Sequence, residues 1–277
     1  MRLINASHFG DTEVAYDAYD LLAPTFKVGF DAMSFSKIDG VSVNKRAVSI
    51  MPSVVLPSRG ALVIDNRVYL FGNGAPDYWK NQVIRRTVII QGADGLANLT
   101  SIGGALMNLA PSTAYAALVF SKYMPESIDN SKYPPQYQIF LSGTESAPAD
   151  SLIELNSAWY LIKQSYISTS GLRIALANEL DSPIFETVSF GARTYDPYTD
   201  DYSSTGHSIK VLRVRWSEHF TYLSKASVTF ERGDVQIFIG KDHTPKPSDT
   251  LTLSDGVWRI LSVQDDMNVW SCHARRA

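Results

Sequence analysis

One stretch of this sequence occurs twice. The first copy runs Tyr137-Gln-Ile-Phe-Leu141, then Pro148 to Asp150, then Leu152-Ile-Glu-Leu155-Asn156-Ser-Ala-Trp159-Tyr-Leu-Ile162. The second runs Val235-Gln-Ile-Phe-Ile239, then Pro247 to Asp249, then Leu251-Thr-Leu253-Ser-Asp255-Gly256-Val-Trp258-Arg-Ile-Leu261. The offset is 98 at Ile139/Ile237 and 99 at Asp150/Asp249, Leu152/Leu251 and Trp159/Trp258, which predicts one inserted residue in the intervening loop. A fainter copy lies upstream, from Ala47-Val-Ser-Ile-Met51 through Pro57 and Gly60 to Leu62-Val-Ile64-Asp65-Asn66-Arg-Val-Tyr69-Leu-Phe71. With Leu62, Leu152 and Leu251 taken as equivalent, the spacing is 90 and then 99 residues. Such periods suit tandem small domains rather than a solenoid.

Each copy has the same physical grammar. An apolar run leads into a proline-containing loop, and a short strand with apolar residues two apart follows. A polar pair then reverses the chain: Asp65-Asn66, Asn156-Ser157 or Asp255-Gly256. Such residues tolerate the positive φ of a tight hairpin. Aromatic-bearing strands return (Val68–Phe71, Trp159–Ile162, Val257–Leu261), and Val83–Ile90, Gly171–Leu176 and Asn268–His273 close the units. The pattern predicts a mainly β protein of tandem small β-barrel or sandwich modules with few short helices. It divides the chain into an N-terminal module over 1–100, a central one over 101–195 and a C-terminal one over 196–277.

Helical signals are sparse. Asp11 to Leu22 reads as a short helix capped by Asp11 or Thr12, and Ile102 to Leu109 as another ending before Pro111. Val211 to Leu223 fits either helix or strand. The tyrosine-rich stretches Glu126–Gln136 and Thr194–Gly206 read as long loops, of the kind that order on contact with a partner.

Charged residues make up 19% of the 277, below the roughly 25% usual for globular chains, which favours surfaces that meet other protein surfaces. A net charge of −3 gives no general attraction to nucleic acid. The one cysteine, Cys272, allows no internal disulfide, and a reducing compartment is expected. The first residues lack a hydrophobic signal core, and no apolar stretch nears the roughly 18 residues of a membrane helix.

No catalytic constellation stands out. His8, His207, His219, His243 and His273 have no His or Cys partner at ligand spacing, so no metal site is expected. Gly72-Asn-Gly74 has Asp77 where a dinucleotide fingerprint needs its third glycine, and Pro76 interrupts the helix start, so it reads as a turn. Neither Asp200-Asp201 nor Asp265-Asp266 has calcium-loop spacing, Asp265-Asp266 suits a hairpin turn, and no local feature supports dispersed glycosidase acids. No cofactor is expected. The candidate interface residues are Tyr78 and Trp79, in an apparent loop, with the basic pairs Arg85-Arg86 and Arg275-Arg276. Exposed Tyr and Trp anchor protein interfaces or sugar platforms, or cover their own barrel's edge. The arginines face an acidic neighbour or protect a sheet edge.

The segment from Ser248-Asp-Thr-Leu through Asp255-Gly-Val-Trp258 to Arg275-Arg276 resembles the small β-barrel proteins that join head to tail in tailed bacteriophages. Those proteins carry a G/S-D-x-L hairpin followed by a strand ending in basic residues. The resemblance implies a non-enzymatic virion protein, assembled in the host cytoplasm, forming a six- or twelve-fold ring around the DNA channel. Its implied partners are further copies of itself and portal, adaptor or tail neighbours. DNA only passes through the channel, and no membrane is involved. Three modules in one chain depart from the single-barrel stopper pattern, so adaptor, stopper, tail hub and tail tube all remain open stations. A multi-module protein that binds surface glycans through Tyr78 and Trp79 is the alternative.

Overall fold

The computed structural model describes residues 12–30, 37–38, 41–42, 45–73, 75–101, 112–120, 137–149, 151–196, 198, 201–215, 231–265 and 269–277. Every regular element among them is a strand. The first group comprises β1 (Thr12–Asp17), β2 (Phe26–Phe30), the small hairpin β3 (Lys37–Ile38) and β4 (Val41–Ser42), β5 (Lys45–Ile50), β6 (Ala61–Ile64), β7 (Arg67–Phe71), β8 (Ala75–Trp79) and β9 (Gln82–Gly92). The second comprises β10 (Gly95–Ser101), β11 (Ser112–Phe120), β12 (Tyr137–Leu141), β13 (Ser151–Leu155), β14 (Ala158–Ile167) and β15 (Arg173–Glu179). The third comprises β16 (Ile184–Asp196), β17 (Asp201–Arg215), β18 (Val235–Gly240), β19 (Thr250–Leu253), β20 (Gly256–Asp265) and β21 (Val269–Arg276).

Each group closes into a six-stranded antiparallel barrel. The orders are β1-β2-β5-β9-β7-β6, β10-β11-β12-β15-β14-β13 and β16-β17-β18-β21-β20-β19. All three share one topology: two three-strand meanders joined by a crossing connection between the third and fourth strands. That connection carries the prolines seen in the sequence (Pro52 and Pro57, Pro148, Pro245 and Pro247). Proline cannot donate to a ladder and so keeps the connection out of the sheet. Closure leaves no free edge within a barrel. The opening strands β10 and β16 begin at Gly95 and Ile184, ahead of positions 101 and 196 where they end.

The structure corrects the repeat's register by one residue. The hairpin turns align Ile64↔Arg67, Leu155↔Ala158 and Leu253↔Gly256. Leu62, Ile153 and Leu251 are therefore equivalent, not Leu152, and Tyr69, Tyr160 and Trp258 face them across the hairpin, not Trp159. Three sets of backbone bonds agree. Gly60, Ser151 and Asp249 donate to Pro57, Pro148 and Lys246; Phe71 and Ile260 donate to Gly60 and Asp249; Ala93, Leu180 and Ala277 donate to Val68, Trp159 and Val257. A β-bulge follows Ile162 in the second barrel and Ile260 in the third. The offset is thus 98 from Ile139/Ile237 through Ile162/Ile260, with no inserted residue. In a strand, a one-residue slip moves a side chain to the opposite face.

The hairpin turns bear out the polar-pair grammar with one adjustment. Asp65 and Asn66 (φ 48° and 57°) and Asn156 and Ser157 (φ 52° and 66°) are both left-handed. In the third barrel the two turn residues are Ser254 and Asp255, and the positive φ falls on Gly256 at 138°. A serine in the left-handed region carries a steric cost that glycine avoids. Ser157→Gly should therefore raise the urea midpoint, by an amount equivalent to about 0.5–1 kcal/mol.

Two other expectations are corrected. The helix expected over Asp11–Leu22 is absent from its described residues, 12–22: Thr12–Asp17 is β1, a strand held between β2 and β6. Thr194–Gly206 is not a loop. It forms much of the β16–β17 hairpin, whose ladder runs from Ile184↔Arg213 to Asp196↔Asp201. Its Tyr and Thr favour strands, and Tyr195 lies opposite Tyr202. Val211–Arg215 is likewise strand. Ile102–Leu109, Glu126–Gln136 and the rest of the Val211–Leu223 segment lie outside the described residues.

Candidate interaction surface

Both faces of many strands are apolar, and the corrected register explains why. One face fills the barrel. Leu62 and Ile64, Ile153 and Leu155, and Leu251 and Leu253 lie in the three interiors with Tyr69, Tyr160 and Trp258. The other face packs against the next barrel. Ala61, Val68 and Leu70 of β6–β7 meet Ala117, Val119, Phe140, Ile174 and Leu176 of the second barrel. Leu152, Trp159 and Leu161 of β13–β14 meet Leu212, Val214, Phe238 and Val269 of the third. The turn and ladder registers make Ala61, Val68 and Leu70 the counterparts of Leu152, Trp159 and Leu161. They also make Ala117, Val119 and Phe140 the counterparts of Leu212, Val214 and Phe238. The same contact is thus used twice, with a fully buried phenylalanine in each.

The first contact also brings backbones together. A side chain at Gly72 would meet the Ser170 carbonyl oxygen at 1.7 Å, so the glycine dismissed as part of a cofactor loop allows the two barrels to touch. Around this seam Arg59 stacks on the Tyr19 ring at 3.7 Å and pairs with Glu145 at 3.6 Å. The Tyr115 N–H donates to the Tyr19 hydroxyl at 2.9 Å. Burial, only partly offset by that bond and by Arg59, raises the Tyr19 pKa.

The contact does not continue beyond the third barrel. The outer face of β19–β20 carries Thr250, Thr252, Val257 and Arg259 where the earlier barrels carry their apolar docking residues. Val257 is 44% exposed. At the other end, Gly29, Ser49 and Thr87 stand where the second barrel has Ala117, Phe140 and Ile174. A polar outer face, as on β19–β20, is how a stacked array stops, whereas at the other end Gly29 and Ser49 lack the apolar docking side chains but are themselves buried.

Two hairpin arms extend past the barrels. Among the described residues β8 pairs only with β9, and it holds Tyr78 and Trp79 on a strand rather than in the loop expected from sequence. Lys80 and Asn81 make its left-handed turn (φ 46° and 63°). Tyr78 is 64% exposed. Arg85 and Arg86 lie on the paired strand, opposite Asp77 and Pro76, and the Arg86 guanidinium also donates to the Val54 carbonyl. The second arm is the distal part of β16–β17, beyond Gly191↔Gly206, the last pair of that ladder still flanked by β19. Tyr198 at its tip is 96% exposed.

Thus four of the six sequence candidates share one arm, while Arg275 and Arg276 belong to the third barrel. Arg275 binds both Asp234 oxygens, at 2.8 and 2.9 Å, and Glu231 at 2.6 Å. His273 approaches Asp234 at 2.6 Å. Arg276 donates to the Asp255 carbonyl at 2.7 Å, against the hairpin turn. Asp265 forms an ion pair with Lys241, which lies over the Trp270 ring.

Among the described residues, no group of three or more His, Cys, Asp or Glu side chains is placed to hold a metal. Cys272 lies in the interior of the third barrel, where burial, reinforced by the Asp249 carboxylate, pushes its thiol pKa up. It should stay unreactive toward a thiol-specific reagent in native protein and react fully in denaturant. Rapid native labelling would contradict this placement. No helix among the described residues is long and apolar enough to cross a membrane.

No protein-family model matches the chain, and neither a curated protein nor a solved structure matches it.

Proposed function

We propose that this is a structural virion protein of a tailed phage, one that acts by assembly rather than catalysis. In this reading it forms a ring at the head–tail junction or upper tail, around the DNA channel. The observation that carries the reading is the pair of hairpin arms projecting from a stack whose own docking contact ends at both faces. Copies of the chain would then join through the arms, leaving the barrels as rigid spacers.

The arms suit contacts between unlike surfaces. The segment 75–87 holds Lys80, Arg85 and Arg86 against one acid, Asp77. The segment 192–205 holds Asp196, Asp200 and Asp201 against one base, Arg193. Opposite charge steers a head-to-tail contact, and a head-to-tail contact that closes makes a ring. The mild net negative charge fits a channel through which DNA slides without adhering. Tail hub and tail tube are further stations for the same architecture.

Negative-stain microscopy and mass photometry of the purified chain, alone and with portal and tail proteins, test the proposal. Rings, or rings formed only on the partner, are the expected result. A strict monomer that joins no virion component would remove it. Exposed Tyr78 favours one other reading, a glycan-binding module. Saturable sugar binding by a monomer, lost in Tyr78→Ala, would support that instead.

A further inference from the structure

We propose that His207 and His243 form a two-histidine site for a divalent transition ion of the zinc type at one end of the third barrel. The two are 36 residues apart in sequence, which is why no motif announces them. His207 sits on β17, opposite Phe190 of β16. His243 lies in the connection between β18 and β19. Its N–H donates to the Gly240 carbonyl at 3.1 Å, and its own carbonyl accepts from the Trp270 indole at 2.6 Å. The backbone is therefore fixed at both residues.

The distance between the rings suits both an empty and a metal-bound pair. His207 Nε2 and His243 Nδ1 are 3.3 Å apart. In the metal-free protein this distance is a long N–H···N hydrogen bond between the rings. Two nitrogens bound to one tetrahedral ion at roughly 2.0–2.1 Å stand about 3.3–3.4 Å apart. The orientation also fits. The Asp242 carboxylate lies 3.4 Å from the other nitrogen of His243, Nε2. This puts a carboxylate beside the nitrogen that does not face His207, where metal-binding histidines commonly have an outer-shell acceptor. The Phe190 ring stands edge-on to His207 at 5.3 Å and closes the inner side.

Two protein ligands leave positions for water or for one donor from another molecule, so micromolar affinity is expected rather than the tight binding of a closed site. The site belongs to the third barrel alone. By the ladder registers, Ser112 and Glu145 hold these positions in the second, although Glu145 donates to Ser142 in the same turn.

The test is calorimetric titration of the full chain with Zn²⁺, repeated with Co²⁺, on wild type, His207→Ala, His243→Ala and Asp242→Asn. One ion per chain is expected for wild type. Either alanine variant should lose binding, and Asp242→Asn should bind roughly ten-fold more weakly. Histidine ring resonances of wild type, followed during the same titration, provide a readout that needs no variant: those of His207 and His243 should shift first. Unchanged binding in both alanine variants, no binding by wild type, or first shifts at other histidines would each overturn the assignment.

Discussion

Replacing Phe238 by alanine will cost the protein about 3–5 kcal/mol, the usual loss for a buried aromatic cut back to alanine. The side chain is 1% exposed although it points out of its own barrel. It is covered by Leu152, Leu161 and Leu180 of the second barrel, among Leu212, Val214 and Val269 of its own. The Trp159 and Phe185 rings stand 5.3 Å apart at the margin of the same cluster. The removed ring leaves a cavity that rigid strands cannot collapse to fill. Urea unfolding should show the lower midpoint, and hydrogen exchange should show the third barrel losing protection first. Phe140→Ala should have an effect of the same size at the first contact, because Phe140 is its counterpart and is 0% exposed. A loss of only a few tenths of a kcal/mol in both would mean that these faces are not packed.

The second large effect concerns Asp234. Its carboxyl is buried just ahead of β18 and meets Arg275 and His273, while the Glu231 N–H donates to it at 2.8 Å. Asp234→Ala leaves the groups gathered around it without their common acceptor, and a loss of about 3 kcal/mol is expected. The same group sets an acid limit. Burial alone would raise its pKa, but the hydrogen bonds from Arg275, the Glu231 N–H and His273 outweigh burial and hold it at about 2, below the ordinary 3.8. A depressed carboxylate stabilises the fold fully above its unfolded pKa and loses that contribution as pH falls through the folded value. The third barrel should therefore lose about 2 kcal/mol between roughly pH 4.5 and pH 2. Asp234→Asn should flatten that part of the stability profile. An unchanged acid limb in Asp234→Asn would place the acid sensitivity elsewhere.

The sequence made the strands, the tight turns and the existence of a repeat legible, because alternation and turn chemistry are local. The register was not legible, for a physical reason. Leu152-Ile153 and Trp159-Tyr160-Leu161-Ile162 are apolar on consecutive positions, since one face fills a barrel and the other docks on the next. With both faces apolar the period-two signal vanishes, and a one-residue slip looks equally good. Trp159 and Trp258 therefore looked equivalent although one packs between barrels and the other inside one. The arms were half legible. Tyr78, Trp79, Arg85 and Arg86 were singled out, but the strand that joins them was not. The Tyr-rich stretch of the other arm was read as loop, because its Thr, Asp, Ser and Tyr give no alternating apolar signal. The His207–His243 grouping depends on the register of β17 against β18, and the Asp234–Arg275 grouping on the pairing of β18 with β21, neither of which a local pattern encodes.

Methyl-to-methyl nuclear Overhauser contacts in selectively labelled protein test the repeated contact most directly. The account predicts that the Leu152 and Leu161 methyls see Leu212 and Val214, across the second and third barrels, while Ile153 sees the interior group of Ile139 and Ile162. If Leu152 instead joined Ile139 and Ile162, the 99-residue register would be right and the repeated docking face would not exist.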